Sequence, residues 1–186
     1  MNDSVTANDL FSKNYFEIFA LDVAFDVDAG TVAERHRELQ KQYHPDRFAS
    51  ADEAQRRLAV QQTALLNQAF QTLSDPLLRA QYLLALKGVD MNNDTDTSMD
   101  GAFLMAQMEL REAIADVRGR DDPLAALDEL MKESKQNIQQ YMDEFARLYA
   151  TEDLASARDS VRKLQFLFKA QQEITALLEQ IEDELL

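Results

Sequence analysis

No cysteine occurs in this chain of 186 residues, so disulfides, thiolate nucleophiles, Cys-zinc sites and Cys-ligated clusters are all excluded. With only two His, a transition-metal site is improbable as well. Gly and Pro are scarce, four and three residues, where an average chain of this length carries roughly 13 Gly and about 9 Pro. Sheets joined by tight turns use both freely, so the composition points away from β structure. Positive charge is also short: 19 basic against 34 acidic side chains leave a net charge of -15. That balance disfavours a nucleic-acid backbone or an anionic membrane as partner. The N-terminal MNDSVTANDLFSKN has no basic stretch followed by an apolar one, so no signal peptide is expected. No apolar run approaches the roughly 20 residues of a membrane span. A cytoplasmic, all-α protein is the expectation.

What is present is helical in period. Val32, His36, Leu39 and Tyr43 form one apolar stripe; Leu58, Leu65, Leu66, Ala69 and Leu73 form a second. Leu127, Met131, Ser134, Ile138, Tyr141, Phe145 and Leu148 step by four and three along a long helix. Leu154, Ala157, Val161, Leu164 and Phe168 do the same, continuing to Ile181 and Leu185. Asp28 or Thr31 is expected to open the first long helix, Ser50 with Glu53 the next as a capping box, and Thr151 the last. Asp75-Pro76 and Asp122-Pro123 place an N-cap candidate before a Pro in the first turn.

The polar, acidic MNNDTDTSMD at 91–100 predicts a boundary. Residues 1–90 hold 9 basic and 13 acidic side chains, a net -4; residues 91–186 hold 10 and 21, a net -11. The expected division is a first domain over 1–90, an acidic linker over 91–99 and a second helical domain over 100–186.

His44-Pro45-Asp46 stands between two predicted helices. Pro45 cannot continue a helix and drives His44 out of the α region, so the helix must end near Tyr43. His44 and Asp46 are then left on an exposed, stiffened loop. Taken alone, the tripeptide also fits a helix-ending Pro between two incidental polar residues. Its surroundings add more. Tyr15-Phe16 comes first, then a basic helix ending LQKQYHPDRF, then N-x-A-F-x-x-L-x-D-P from Asn67, then Arg79-Ala80-x-Tyr82. Together these resemble the J-domain, over about residues 12–85. That resemblance implies a module that docks on an Hsp70 chaperone and stimulates its ATPase, with no cofactor and no chemistry of its own on ATP. It implies His44, Pro45 and Asp46 as the docking loop. Arg37 and Lys41, on the helix face opposite the core stripe, and Arg47 are the accompanying Hsp70-binding candidates. Glu34 and Glu38 dilute that basic face. His36, in a stripe position, is expected to be packed and hydrogen-bonded.

The second half carries no Gly/Phe-rich or Cys-rich segment. It runs Tyr82-Leu-Leu-Ala-Leu-Lys-Gly88, the acidic linker, AFLMAQMELREAI and later SVRKLQFLFKA. This combination resembles the HscB family of J-protein co-chaperones, over about 12–185. The resemblance implies a C-terminal three-helix bundle that binds an IscU-type iron–sulfur scaffold and presents it to an HscA-type Hsp70. It also implies a roughly L-shaped, monomeric molecule. Periodicity bears on the scaffold site. At about 100° per residue, Leu110, Ile114 and Val117 fall within roughly 40° of Phe103 and make the core stripe. Leu104, Met105 and Met108 fall elsewhere, beside Glu109, Glu112 and Asp116, and Phe166 leaves the stripe of its own helix. Such an off-core patch either packs inside the protein or is covered by a partner. In the HscB family, the residues matching Leu104, Met105, Met108, Glu109, Glu112, Asp116 and Phe166 form the scaffold-binding surface.

Other readings explain less. A J-protein serving a different client, with the second half as a generic binding module, shares the first domain. An enzyme using His44 and Asp46 as an acid–base pair has no nucleophile or phosphate-cradling loop nearby. A carboxylate-bridged metal bundle needs Glu-x-x-His, which does not occur. A structural coiled coil accounts for 124–185 but not for the motif or the patch.

Overall fold

The computed structural model describes residues 9–48, 50–91 and 99–184. Among them all regular structure is helical, in seven α-helices: α1 Tyr15–Ile18, α2 Ala29–Tyr43, α3 Glu53–Ser74, α4 Pro76–Leu86, α5 Gly101–Asp116, α6 Pro123–Ala150 and α7 Leu154–Glu184. They fall into two compact units, residues 1–86 and 87–186. Most of the expected linker lies outside the described residues, as does Leu185.

Helix starts follow one rule. Asp28, Asp52, Asp75, Asp100, Asp122 and Asp153 each stand before α2 to α7 and accept a backbone N–H of the first turn, at 2.7–3.2 Å. A carboxylate there satisfies an orphan donor and complements the positive end of the helix dipole. Two expected starts move as a result. Ser50 does not cap α3, because Ala51 still bonds back to the Phe48 carbonyl and the chain first turns into helix at Asp52. Thr151 does not open α7. Its hydroxyl donates to the Arg147 and Leu148 carbonyls at the end of α6, and the chain reverses through Glu152 at φ 58°.

In the first unit α2 and α3 form a hairpin against which α1 and α4 pack. Phe16, Phe19, Val32, Leu66, Leu73 and Leu83 are fully buried, each contributing about 2 kcal/mol of apolar transfer. The buried stripe of α3 is Ala59, Gln62, Leu66, Ala69 and Leu73. Leu58 and Leu65, expected on it, are only half-buried, at the edge of that stripe. Gly88, just beyond α4, has φ +78°, a conformation few other residues adopt.

The second unit is a three-helix bundle. α6 and α7 lie along each other, with α7 about 47 Å long at 31 residues. α5 packs on both, and Val117, Leu127, Ile174 and Ile181 close the core at one end. The expected α6 stripe has Leu127, Ser134, Ile138, Phe145 and Leu148 buried.

Candidate functional site

Two exposed surfaces coincide with the sequence candidates, one in each unit. The first begins at the end of α2. His44 leaves the helix at φ -60°, ψ 133°, as a residue before Pro must. The expected exposed, stiffened loop takes the form of a single 3-10 turn, Pro45–Phe48, closed by Arg47 N–H donating to the His44 carbonyl at 3.1 Å. Asp46 N–H donates to His44 Nδ1 at 3.2 Å, and the Asp46 carboxylate lies 3.6 Å from that same nitrogen. Its side chain is 91% exposed. The turn is held from both sides. Thr63 Oγ1 on α3 donates to the Tyr43 carbonyl at 3.0 Å. Arg47 Nη1 reaches back to the Lys41 carbonyl at 3.0 Å. These bonds occupy carbonyls that the helix end would leave unpaired.

Arg37, Lys41 and Arg47 are all exposed. Arg37 lies along its own helix with Nε on the Ala33 carbonyl, and Arg47 is drawn beside Lys41 by its capping bond. Glu38 pairs with Arg35 at 3.1 Å, one turn away from Lys41. Part of the acidic dilution expected of this helix is thus met by Arg35. His36 is half-buried, with Nε2 3.0 Å from Asn67 Oδ1 and its ring stacked 4.1 Å from Phe70. It is a packed, hydrogen-bonded residue.

The second surface lies at the start of α5. Phe103 points into the bundle, while Leu104 and Phe166 are 41% exposed and Met105 and Met108 are 64% and 63% exposed. Phe103 meets Phe166 edge-on at 6.3 Å and Tyr141 at 5.8 Å. The Lys163 ammonium lies 5.7 Å and 5.2 Å from the Phe103 and Tyr141 ring centres. This cluster fixes α5 against α6 and α7 and brings Phe166 next to the residues around Leu104. Burial, with Glu144 and Asp100 nearby, pushes the Tyr141 phenol up. Glu109, Glu112 and Asp116 are exposed along α5 beyond the apolar group. Exposed Met and Leu side chains rimmed by carboxylates make a surface suited to an apolar partner face edged with cations.

Sequence reasoning missed Arg47 as a cap, Lys163 as the cation over two rings, and two long-range contacts that hold the first unit. Tyr82 stacks on Tyr15 at 4.3 Å and its hydroxyl accepts the Tyr15 N–H at 2.9 Å. Arg79, buried, donates to the Leu73 carbonyl and lies over the Phe25 ring at 5.2 Å. Burial pushes its guanidinium down, opposed by Asp26 and Asp75. The signal was the Arg79-Ala80-x-Tyr82 motif itself, which marks the residues but not their contacts.

Among the described residues no group of three or more His, Asp or Glu could hold a metal ion, and no helix is long and apolar enough to cross a membrane.

Comparison with known proteins gives matches in both units. The DnaJ domain matches residues 14–82, and the HSCB C-terminal oligomerisation domain matches residues 99–175. The co-chaperone protein HscB homolog of Shewanella baltica (strain OS223) is 46% identical over 176 residues, covering 93% of this chain and 99% of that one. The homolog from Shewanella amazonensis is also 46% identical, with the same coverage of both. Among solved structures, chaperone HscB from Vibrio cholerae superposes with a TM-score of 0.83 at 42% identity, over 94% of this chain and all of that one. Human co-chaperone HscB superposes with a TM-score of 0.82 at 27% identity, over 89% of this chain and 82% of that one.

Proposed function

Since the chain belongs to the HscB family of J-domain co-chaperones, we propose that it stimulates the ATPase of an HscA-type Hsp70 and delivers to it an IscU-type scaffold of iron–sulfur cluster assembly. The observation that carries the scaffold half of this reading is the apolar patch of Leu104, Met105, Met108 and Phe166. It is exposed on a bundle that buries its other large apolar stripes. Glu109, Glu112 and Asp116 extend the same surface with negative charge.

The Hsp70 half rests on the turn at the end of α2. The Asp46 carboxylate, 91% exposed and 3.6 Å from the His44 imidazole, is placed to receive an Arg fork from the chaperone, a strong and geometrically selective bond. Pro45 and the anchoring bonds of Thr63 and Arg47 fix where that carboxylate stands, so little order is lost on docking. Arg37, Lys41 and Arg47 add positive charge for an acidic chaperone surface. The protein supplies no group to ATP; its contribution is to favour the hydrolysing state of the chaperone by binding it better.

The test is the ATPase rate of an HscA-type chaperone with this protein, with and without an IscU-type scaffold. Stimulation is expected, larger with scaffold. Asp46→Asn should abolish it while leaving the far-UV spectrum and Tm unchanged. A Leu104→Ala/Met108→Ala/Phe166→Ala variant should lose scaffold binding. Normal stimulation by Asp46→Asn would refute the docking role. Unimpaired scaffold binding by the triple variant would favour a different client for the C-terminal bundle.

A further inference from the structure

With seven methionines and no cysteine, Met is the only sulfur-bearing side chain of this protein. Oxidants that would first attack thiols elsewhere meet only thioethers here. The methionines are not equally placed. Met91, Met99, Met131 and Met142 are half-buried, and Met131 packs against the core of the bundle. Met105 and Met108 stand apart from them at 64% and 63% exposed. They are three residues apart on α5 and so share a face of the helix. A small oxidant in solution therefore reaches this pair before the other described methionines. Hydrogen peroxide suits the place electrically. It is neutral, so the exposed carboxylates of Glu109 and Glu112 do not repel it as they would an anionic oxidant.

The pair lies within the apolar patch, beside Leu104 and Phe166. We infer that Met105 and Met108 are an oxidation site through which a peroxide switches off scaffold binding. The step needs no cofactor. A lone pair of the thioether sulfur attacks one peroxide oxygen, the O–O bond breaks, and that oxygen stays on sulfur. The departing hydroxide takes up the proton of the transferred oxygen and leaves as water. Sulfur is oxidised by two electrons and the peroxide is reduced by two. The product is methionine sulfoxide, a polar S=O acceptor where the thioether was apolar. On the free protein the exposed sulfoxide is hydrated, and the fold is undisturbed. Covered by an apolar partner face, it must shed that water with no donor in exchange. Oxidation thus spares the free protein and opposes the complex. Each sulfoxide epimer is reduced by its own enzyme, so the site is fully reset only where both kinds of methionine sulfoxide reductase act. The inference rests on the scaffold reading of the preceding section. It adds chemical control to two residues of that surface, while the docking turn at Pro45–Phe48 contains no sulfur and lies outside that control.

The experiment treats the full chain with hydrogen peroxide, removes the peroxide with catalase, and titrates in an untreated IscU-type scaffold by calorimetry. Peptide mass spectrometry should find the added oxygen on Met105 and Met108 before Met131 and Met142. The Tm should hold, while scaffold affinity falls about tenfold. Methionine sulfoxide reductases A and B together should restore it. A Met105→Leu/Met108→Leu variant serves as its own reference: whatever its affinity, peroxide treatment should leave it unchanged. Met131→Leu/Met142→Leu should stay as peroxide-sensitive as wild type. Oxidation spread evenly over the methionines would overturn the inference, and so would a peroxide-sensitive Met105→Leu/Met108→Leu variant. If protein oxidised at both residues binds at full affinity while the patch triple variant does not bind, this inference fails and the scaffold reading stands. If the triple variant binds normally, the scaffold reading itself is at fault, and this inference falls with it.

Discussion

A single ring shows how a polar residue is kept in an apolar stripe. His36 takes the place of an aliphatic side chain on α2, yet its faces stack on Phe70 and Phe19 and its Nε2 meets Asn67. The need for a packed, bonded His was legible from its place in the stripe. Its partners were not, because they lie on other elements. Tyr82 makes the same point more sharply, since it bonds a residue 67 positions away. Removing only its oxygen should orphan the half-buried Tyr15 N–H while keeping the ring stack. Tyr82→Phe is therefore expected to destabilise the first unit by about 1 kcal/mol, read from denaturant unfolding. An unchanged midpoint would show that water replaces the hydroxyl. No periodicity argument finds such a bond, because periodicity places residues on faces and does not pair faces with one another.

At the scale of the helices, sequence reading succeeds where the determinant is local and fails where neighbouring residues compete. Asp28, Asp75 and Asp122 were recognisable caps. At α3 the competition between Ser50 and Asp52 is decided by the turn before it, and at α7 Thr151 is claimed by the end of α6. The off-core position of Leu104, Met105, Met108 and Phe166 followed from 100° steps alone. One clasp between elements has a pH signature. Arg118, in the 3-10 turn after α5, meets both oxygens of Glu184 at the end of α7, at 2.9–3.1 Å. The hydrogen bond from Arg118 holds that carboxyl below the usual Glu range. A lowered carboxylate stabilises the fold above its ordinary range, and the contribution is lost as pH falls through its lowered value. Followed by NMR, Glu184 should titrate below the ordinary Glu range and return to it in Arg118→Ala. A titration indifferent to that substitution would remove the clasp.

Across the whole molecule, the charge asymmetry acquires two causes instead of one. Some acids of the second half edge the proposed partner surface; others, including Asp100, Asp122 and Asp153, are helix caps and would be present whatever the protein bound. The salt dependence of scaffold binding should therefore follow Glu109, Glu112 and Asp116 rather than the total charge. In the proposed function the two units also divide the work. The patch triple variant should keep scaffold-independent stimulation and lose only the increment that scaffold adds. Asp46→Asn should keep scaffold affinity and lose all stimulation. Parallel loss of both activities in either variant, measured on the full chain, would contradict that division.

Among the described residues, the carboxylate of Asp46 meets only the neighbouring imidazole. Proofreading of folded proteins, which senses exposed cores and loosened chains, has no way to detect its loss. A cell that lost it would go on making a durable, full-length protein. In the function proposed above, that protein would still bind its scaffold and fail to pass it on.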